Sequence, residues 1–204
     1  MGEFIVSARK YRPTTFKQVV GQSAITTTLT NAISENHLAQ SFLFCGPRGV
    51  GKTSCARILA NQINGFNNDN PLNNTNNLNI YELDAASNNS VDDIRNLIDQ
   101  VRYAPQAGKY KVYIIDEVHM LSNAAFNAFL KTLEEPPSYV IFILATTEKN
   151  KVIPTILSRC QIYDFKRIMT DMYPWRFERI FAKHTLMGKF IEKITDQHSR
   201  QPFP

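Results

Sequence analysis

Gly46-Pro47-Arg48-Gly49-Val50-Gly51-Lys52-Thr53 sets three glycines, a lysine and a hydroxyl in the pattern G-x-x-x-x-G-K-[ST]. These residue types suit the holding of a polyphosphate. Gly46, Gly49 and Gly51 let the backbone curl so that successive N–H groups converge on phosphate oxygens. Lys52 brings a positive charge to the β- and γ-phosphates, and Thr53 offers a hydroxyl to Mg²⁺. A helix starting at Lys52 points its N-terminus at the anion. Arg48, Val50 and Ser54 complete the set expected to touch the nucleotide.

Asp116-Glu117 follows four apolar residues, 64 positions after Lys52. A carboxylate at the tip of a strand beside the loop reaches a Mg²⁺ held by Thr53, and the next acid can orient and polarise a water. Asp116 is therefore assigned to the metal and Glu117 to the water. Ala145-Thr146-Thr147 ends another apolar run, and a hydroxyl there can meet either the γ-phosphate or the water. Taken alone, Thr147 is equally an ordinary strand residue. Arg159, in Ser158-Arg159-Cys160, is equally a solvated surface arginine. His119, close behind Glu117, is read as a polar residue on a loop.

These groups need strands to carry them and helices to cover the strands. Ser41–Cys45, Ile80–Leu83, Val112–Ile115, Val140–Leu144 and Gln161–Phe165 are short, mostly apolar runs read as strands. Ile25, Leu29, Ala32 and Ile33 recur at helical spacing up to about Glu35. Further helices are expected from Lys52 to about Ile63, after Ser90 with Asp92 and Asp93 in the first turn, and from Ser122 to Glu134 before Pro136-Pro137. Strands apolar on both faces and alternating with helices imply an α/β fold: a mostly parallel five-stranded sheet between two helical layers. Between them, residues 64–79 are crowded with Asn and read as a surface loop.

The 204 residues carry 23 Lys+Arg and 18 Asp+Glu, a net charge of +5. Residues 166–204 hold 8 of the basic and 4 of the acidic residues, so the excess sits mostly in the tail. By itself that is weak support for nucleic-acid binding. No apolar run approaches the ~18–20 residues of a membrane span, and no membrane association is expected. The N-terminus lacks the apolar core of a signal peptide. Cys45, Cys55 and Cys160 are widely spaced, as are the four histidines. A disulfide framework and a structural metal are not expected, and a reducing cytoplasm fits.

The order of these motifs resembles one family over roughly residues 4–168. Arg9-Lys10-Tyr11-Arg12-Pro13, Phe16, Val19-Val20-Gly21-Gln22, the phosphate loop, Glu82-Leu83-Asp84-Ala85-Ala86-Ser87, Ile115-Asp116-Glu117-Val118-His119-Met120, Leu130–Pro137, Ala145-Thr146-Thr147 and Ser158-Arg159-Cys160 look like the gamma/tau subunits of bacterial DNA polymerase III. Those are the AAA+ P-loop ATPases of the sliding-clamp loader. The resemblance implies ATP and Mg²⁺ as cofactors, and other loader subunits, the sliding clamp and primer-template DNA as partners. It carries no polymerase chemistry, although the family is grouped with the DNA-directed DNA polymerase it serves.

At matching positions the resemblance implies that Val19 and Val20, with the Arg9–Pro13 segment that includes Arg12, line the adenine pocket. Thr147 becomes the sensor of the γ-phosphate, and Arg159 a finger acting on ATP in a neighbouring subunit. Asn88, Asn89, Ser90 and Arg95 fall where the family meets the DNA backbone. Family members commonly carry a four-cysteine zinc module where this chain has residues 64–79, so zinc is not carried over. An ATPase domain is expected over 1–167 and a divergent tail, 168–204, in place of the family's helical lid. Phe177, Ile180, Phe181, Met187, Phe190, Ile191 and Ile194 lie near helical spacing, so an amphipathic helix, a reading-frame tail and a truncated gene stand as alternatives. The competing functional readings are a nucleotide-binding fragment without turnover and another AAA+ motor, such as a helicase loader.

Overall fold

A computed structural model describes residues 12–65, 79–105 and 109–168. Five helices, α1 (Ser23–Ser34), α2 (Lys52–Ile63), α3 (Val91–Val101), α4 (Asn123–Glu134) and α5 (Pro154–Leu157), alternate with five strands. The strands are β1 (Ser41–Cys45), β2 (Ile80–Asp84), β3 (Lys111–Asp116), β4 (Val140–Thr146) and β5 (Gln161–Asp164), in the spatial order β2-β3-β4-β1-β5. Every strand pair is parallel. The tail expected over 168–204 lies, but for Ile168, outside the described residues, as do Arg9, Lys10, Tyr11 and residues 66–78.

Side chains alternate across the sheet and separate two cores. Phe42, Phe44, Val112, Ile114, Ile141 and Ile143 pack on one face with Ile25 and Leu29 of α1 and Cys55, Ile58 and Leu59 of α2. Leu43, Tyr113, Ile115, Phe142 and Leu144 pack on the other with Ile94 and Leu97 of α3, Phe126 and Phe129 of α4 and Ile156 of α5. Because β1 and β4 are buried along their whole length, their sequences are continuous apolar runs rather than alternating ones. The result is a three-layer α/β/α arrangement.

Helix ends are set by local chemistry. Ser90 and Asp93 form a reciprocal capping box at the start of α3, and the Ser122 hydroxyl accepts from Ala125 N–H at the start of α4. Buried Lys111 donates from Nζ to the carbonyls of Gln100 (2.6 Å) and Tyr103 (3.2 Å), placing a cation at the C-terminus of α3. The side-chain amide of Gln22 donates to Lys166 O (2.7 Å) and accepts from Lys166 N–H (3.2 Å). That double bond fastens the entry to α1 to the chain leaving β5. The structure lengthens several elements expected from sequence: β3 starts at Lys111 and ends at Asp116, and β4 reaches Thr146. No helix among the described residues is long and apolar enough to cross a membrane.

Candidate functional site

The C-terminal ends of the parallel strands lie together, and β1 stands between β4 and β5, where the order of strands along the sheet reverses. Ligand clefts in open α/β sheets form at such points. The loop Gly46–Gly51 leaves β1 there and enters α2. Gly46 N–H donates to Thr146 O (3.2 Å), which seats the loop against the tip of β4. Gly46 takes φ +146°, and a Cβ there would stand 2.4 Å from Phe165 O. Gly46→Ala is accordingly expected to destabilise the fold by about 2 kcal/mol, since it meets both a backbone clash and an unfavourable φ. Thermal unfolding should register this as a Tm drop of roughly 4–8 °C.

Lys52, the first residue of α2, is 6% exposed. Its Nζ donates to Gly46 O (2.7 Å) and Pro47 O (2.9 Å), so the ammonium lies inside the loop's curl. Burial pulls its pKa down, and the carboxylates of Glu117 and Asp116 push it back up. Beside it, Thr53 Oγ1 donates to Asp116 Oδ2 (2.7 Å). Two hard oxygen donors thus meet at one point at the lip of the loop, a donor set that fits Mg²⁺ with water and phosphate completing the shell. A ring of loop backbone around a buried ammonium likewise fits a polyphosphate.

Glu117 follows Asp116 with φ 48° and ψ 44°, a left-handed conformation that a glutamate rarely adopts. Its N–H donates to Asp116 Oδ1 (3.0 Å), locking the two acids into one turn. The carboxylate crosses to the tip of β4, where Oε2 accepts from Thr147 N–H (3.1 Å) and Thr147 Oγ1 (2.9 Å). The residue expected to handle water and the residue expected to sense phosphate are therefore hydrogen-bonded to each other.

His119 corrects an expectation. Read as a polar loop residue, its side chain is only 5% exposed, in a 3₁₀ turn (Val118–Met120) behind Glu117. Sequence spacing gave no warning, because two of its partners, Thr146 and Glu148, lie at the end of β4 and just beyond it. Asp84 was also missed. It ends β2 in register with Asp116 and lines the same cleft. The pattern of an apolar strand ending in a carboxylate, applied to Asp116, would have found it.

Arg12, Arg48, Gly49, Gly51, Lys52, Thr53, Ser54, Asp116 and Glu117 all border one cleft of about 470 Å³. Gly46 and Thr147 border a second, of about 550 Å³, on the other side of the loop. Val50 is buried in the core and Val19 packs against it, while Val20 borders neither cleft. Arg159 borders neither as well. Its guanidinium bonds Glu134 (2.5 Å) and Thr155 O (2.7 Å). Burial pushes Cys45 up to about 11 and Cys55 and Cys160 up to about 12, so none of the three is a thiolate at neutral pH.

Residues 21–169 match the family described as DNA polymerase III, delta subunit. The chain is 52% identical over 183 residues to DNA polymerase III subunit tau of Bacillus subtilis, covering 84% of this chain and 32% of the relative. It is 46% identical to subunit tau of Escherichia coli, over 86% of this chain and 29% of the relative. The chain thus spans about a third or less of these proteins. Among solved structures, a DNA polymerase III gamma subunit-related protein of Thermotoga maritima aligns with TM-score 0.58 at 21% identity, over 76% of this chain and 53% of that one. The RuvB Holliday junction branch migration motor of the same organism aligns with TM-score 0.62 at 21% identity, over 83% and 53%. Those distant likenesses show the fold alone, the three-layer α/β/α arrangement. Because the family match runs from the entry to α1 past β5, and the identity to gamma/tau relatives is near one residue in two, this chain belongs to the DNA polymerase III subunit family, on its gamma/tau branch.

Proposed function

We propose that the chain binds ATP with Mg²⁺ and hydrolyses it as a subunit of a DNA polymerase III clamp loader in the bacterial cytoplasm. Its partners are other loader subunits, a sliding clamp and primer-template DNA. The observation that carries this reading is the Thr53 Oγ1–Asp116 Oδ2 contact of 2.7 Å, which unites the loop with the acid pair 63 residues later.

Each residue's part follows from its surroundings. Lys52 exchanges the carbonyls of Gly46 and Pro47 for β- and γ-phosphate oxygens, a stronger charge-assisted pairing. Thr53 and Asp116 hold Mg²⁺, which when bound neutralises charge that builds up on the phosphate oxygens. Arg12 and Arg48, both at the cleft, add positive charge beside the phosphates. Glu117 orients the attacking water and accepts its proton. In the arrangement described, Thr147 holds that carboxylate through two hydrogen bonds. When Thr147 turns to the γ-phosphate it frees Glu117, which couples hydrolysis to the presence of the triphosphate. Arg159 acts on a neighbour's ATP, in keeping with its place outside both clefts of its own chain. Asn88, Asn89, Ser90 and Arg95 are the residues proposed to meet the DNA backbone. In the arrangement described, both the hydroxyl and the backbone N–H of Ser90 are engaged with Asp93, so Asn88, Asn89 and Arg95 carry most of that contact.

The test is ATP hydrolysis by the chain alone and with the remaining loader subunits, clamp and primed DNA. The isolated chain should bind ATP with negligible turnover, and the mixture should hydrolyse it. Glu117→Gln should keep ATP affinity within about threefold while lowering kcat by at least ~10²-fold, the scale of a lost general base. Stimulated hydrolysis by the isolated chain would remove the trans role given to Arg159, and no ATP binding in calorimetry, or no hydrolysis by the mixture, would sink the reading.

A further inference from the structure

The imidazole of His119 lies between two carboxylates and a hydroxyl. Nδ1 is 3.0 Å from Thr146 Oγ1 and 3.5 Å from Glu117 Oε2, the same oxygen that Thr147 holds. Nε2 is 3.4 Å from Glu148 Oε1. Thr146 Oγ1 also accepts from Glu148 N–H (3.0 Å), so ring, hydroxyl and backbone close into one small network. Glu148 is in turn paired with Lys151 at 2.8 Å. The ring is 5% exposed, so its removal leaves polar groups that the fold had paired in a largely buried place. None of them is needed for packing, which a leucine or phenylalanine would supply as well.

We propose that His119 is a positioning residue for Glu117: its ring ties the carboxylate to residues 146–148, so that the acid and the segment after β4 move together. The proposal rests on the reading of Glu117 given above and deepens it. Thr147 touches the carboxylate from one side and is free to leave for a ligand. His119 touches it from the buried side and cannot leave. The ring therefore sets the direction to which Glu117 returns each time Thr147 moves. The tie needs the tautomer that carries a proton on Nδ1, which can then donate toward Thr146 Oγ1 and Glu117 Oε2.

Two measurements test it. In the assembled hydrolysis assay, His119→Ala should lower kcat by about 10–100-fold, the cost of misplacing a catalytic group by about an ångström, with KM for ATP within roughly twofold. His119→Asn, whose amide falls near the place of Nδ1, should recover most of the loss. A packing role predicts instead that both variants fail alike, and that outcome, or an unchanged kcat in His119→Ala, overturns the proposal. The second measurement needs no turnover: thermal unfolding of the Glu117→Ala, His119→Ala and double variants. The double variant should lose less than the sum of the single losses, by on the order of 2 °C in Tm. Additive losses overturn the contact. If wild type shows no Lys52-dependent hydrolysis, the ATPase reading fails instead, and the unfolding cycle still decides whether His119 holds Glu117.

Discussion

Lys52→Ala is expected to weaken ATP binding about 10²-fold and to drop hydrolysis below detection, as measured by titration calorimetry and phosphate release. The ammonium now donates to two loop carbonyls, at 2.7 and 2.9 Å. Redirected to phosphate, the same two donors make charge-assisted bonds together worth about 3 kcal/mol, which is roughly two decades in Kd. Folding should survive, because the carbonyls of Gly46 and Pro47 lie at the edge of a cleft where water can reach them. An unshifted Tm would separate loss of binding from loss of structure. Lys52→Arg should not restore activity. At 6% exposure the curl holds a compact ammonium and has no room for a planar guanidinium. ATP uptake by Lys52→Ala equal to that of wild type would remove the basis of the site assignment.

The second large effect is expected from Arg159→Ala, and only in the assembly. The variant should bind ATP as wild type does when alone, while the mixture with loader subunits, clamp and DNA should lose about 10³-fold or more in kcat, the range known for arginine fingers. The guanidinium is 33% exposed and its partner Glu134 is 44% exposed. A pair so open contributes at most about 1 kcal/mol, so a large rate loss with an intact Tm cannot be a folding effect. Weaker ATP binding by the isolated Arg159→Ala chain would instead place Arg159 in its own site.

Much of this was legible in the sequence because the information was local. The loop pattern at 46–53 needs no distant residue to be recognised, and Asp116-Glu117 advertises itself as the end of an apolar strand. β1 and β4 were found because burial on both faces leaves them continuously apolar. What stayed hidden depends on contacts between segments far apart in the chain. His119 looks unremarkable until the end of β4 and the turn after it bring Thr146 and Glu148 to its ring. The tie between Gln22 and Lys166 joins residues 144 positions apart. The four-residue α5 was missed because a single turn carries too little periodicity to register. The pairing of Arg159 with Glu134 was likewise beyond reach, since neither residue alone distinguishes a held guanidinium from a solvated one.

The strand order has a consequence for how the molecule comes into being. β1 is made early, yet its neighbours in the sheet are β4 and β5, about a hundred residues further on: Ser41 pairs with Phe142 and Phe42 with Gln161. The middle of the sheet is thus closed by distant segments, a topology that folds slowly because a long stretch must be ordered before the pairing gains accrue. On the ribosome, the glycine-rich turn emerges long before anything can brace it, with Ser41–Cys45 still an unpaired sticky edge for a chaperone to shield. The nucleotide proposed for that turn would accordingly meet it in its braced form only once the later strands are in place.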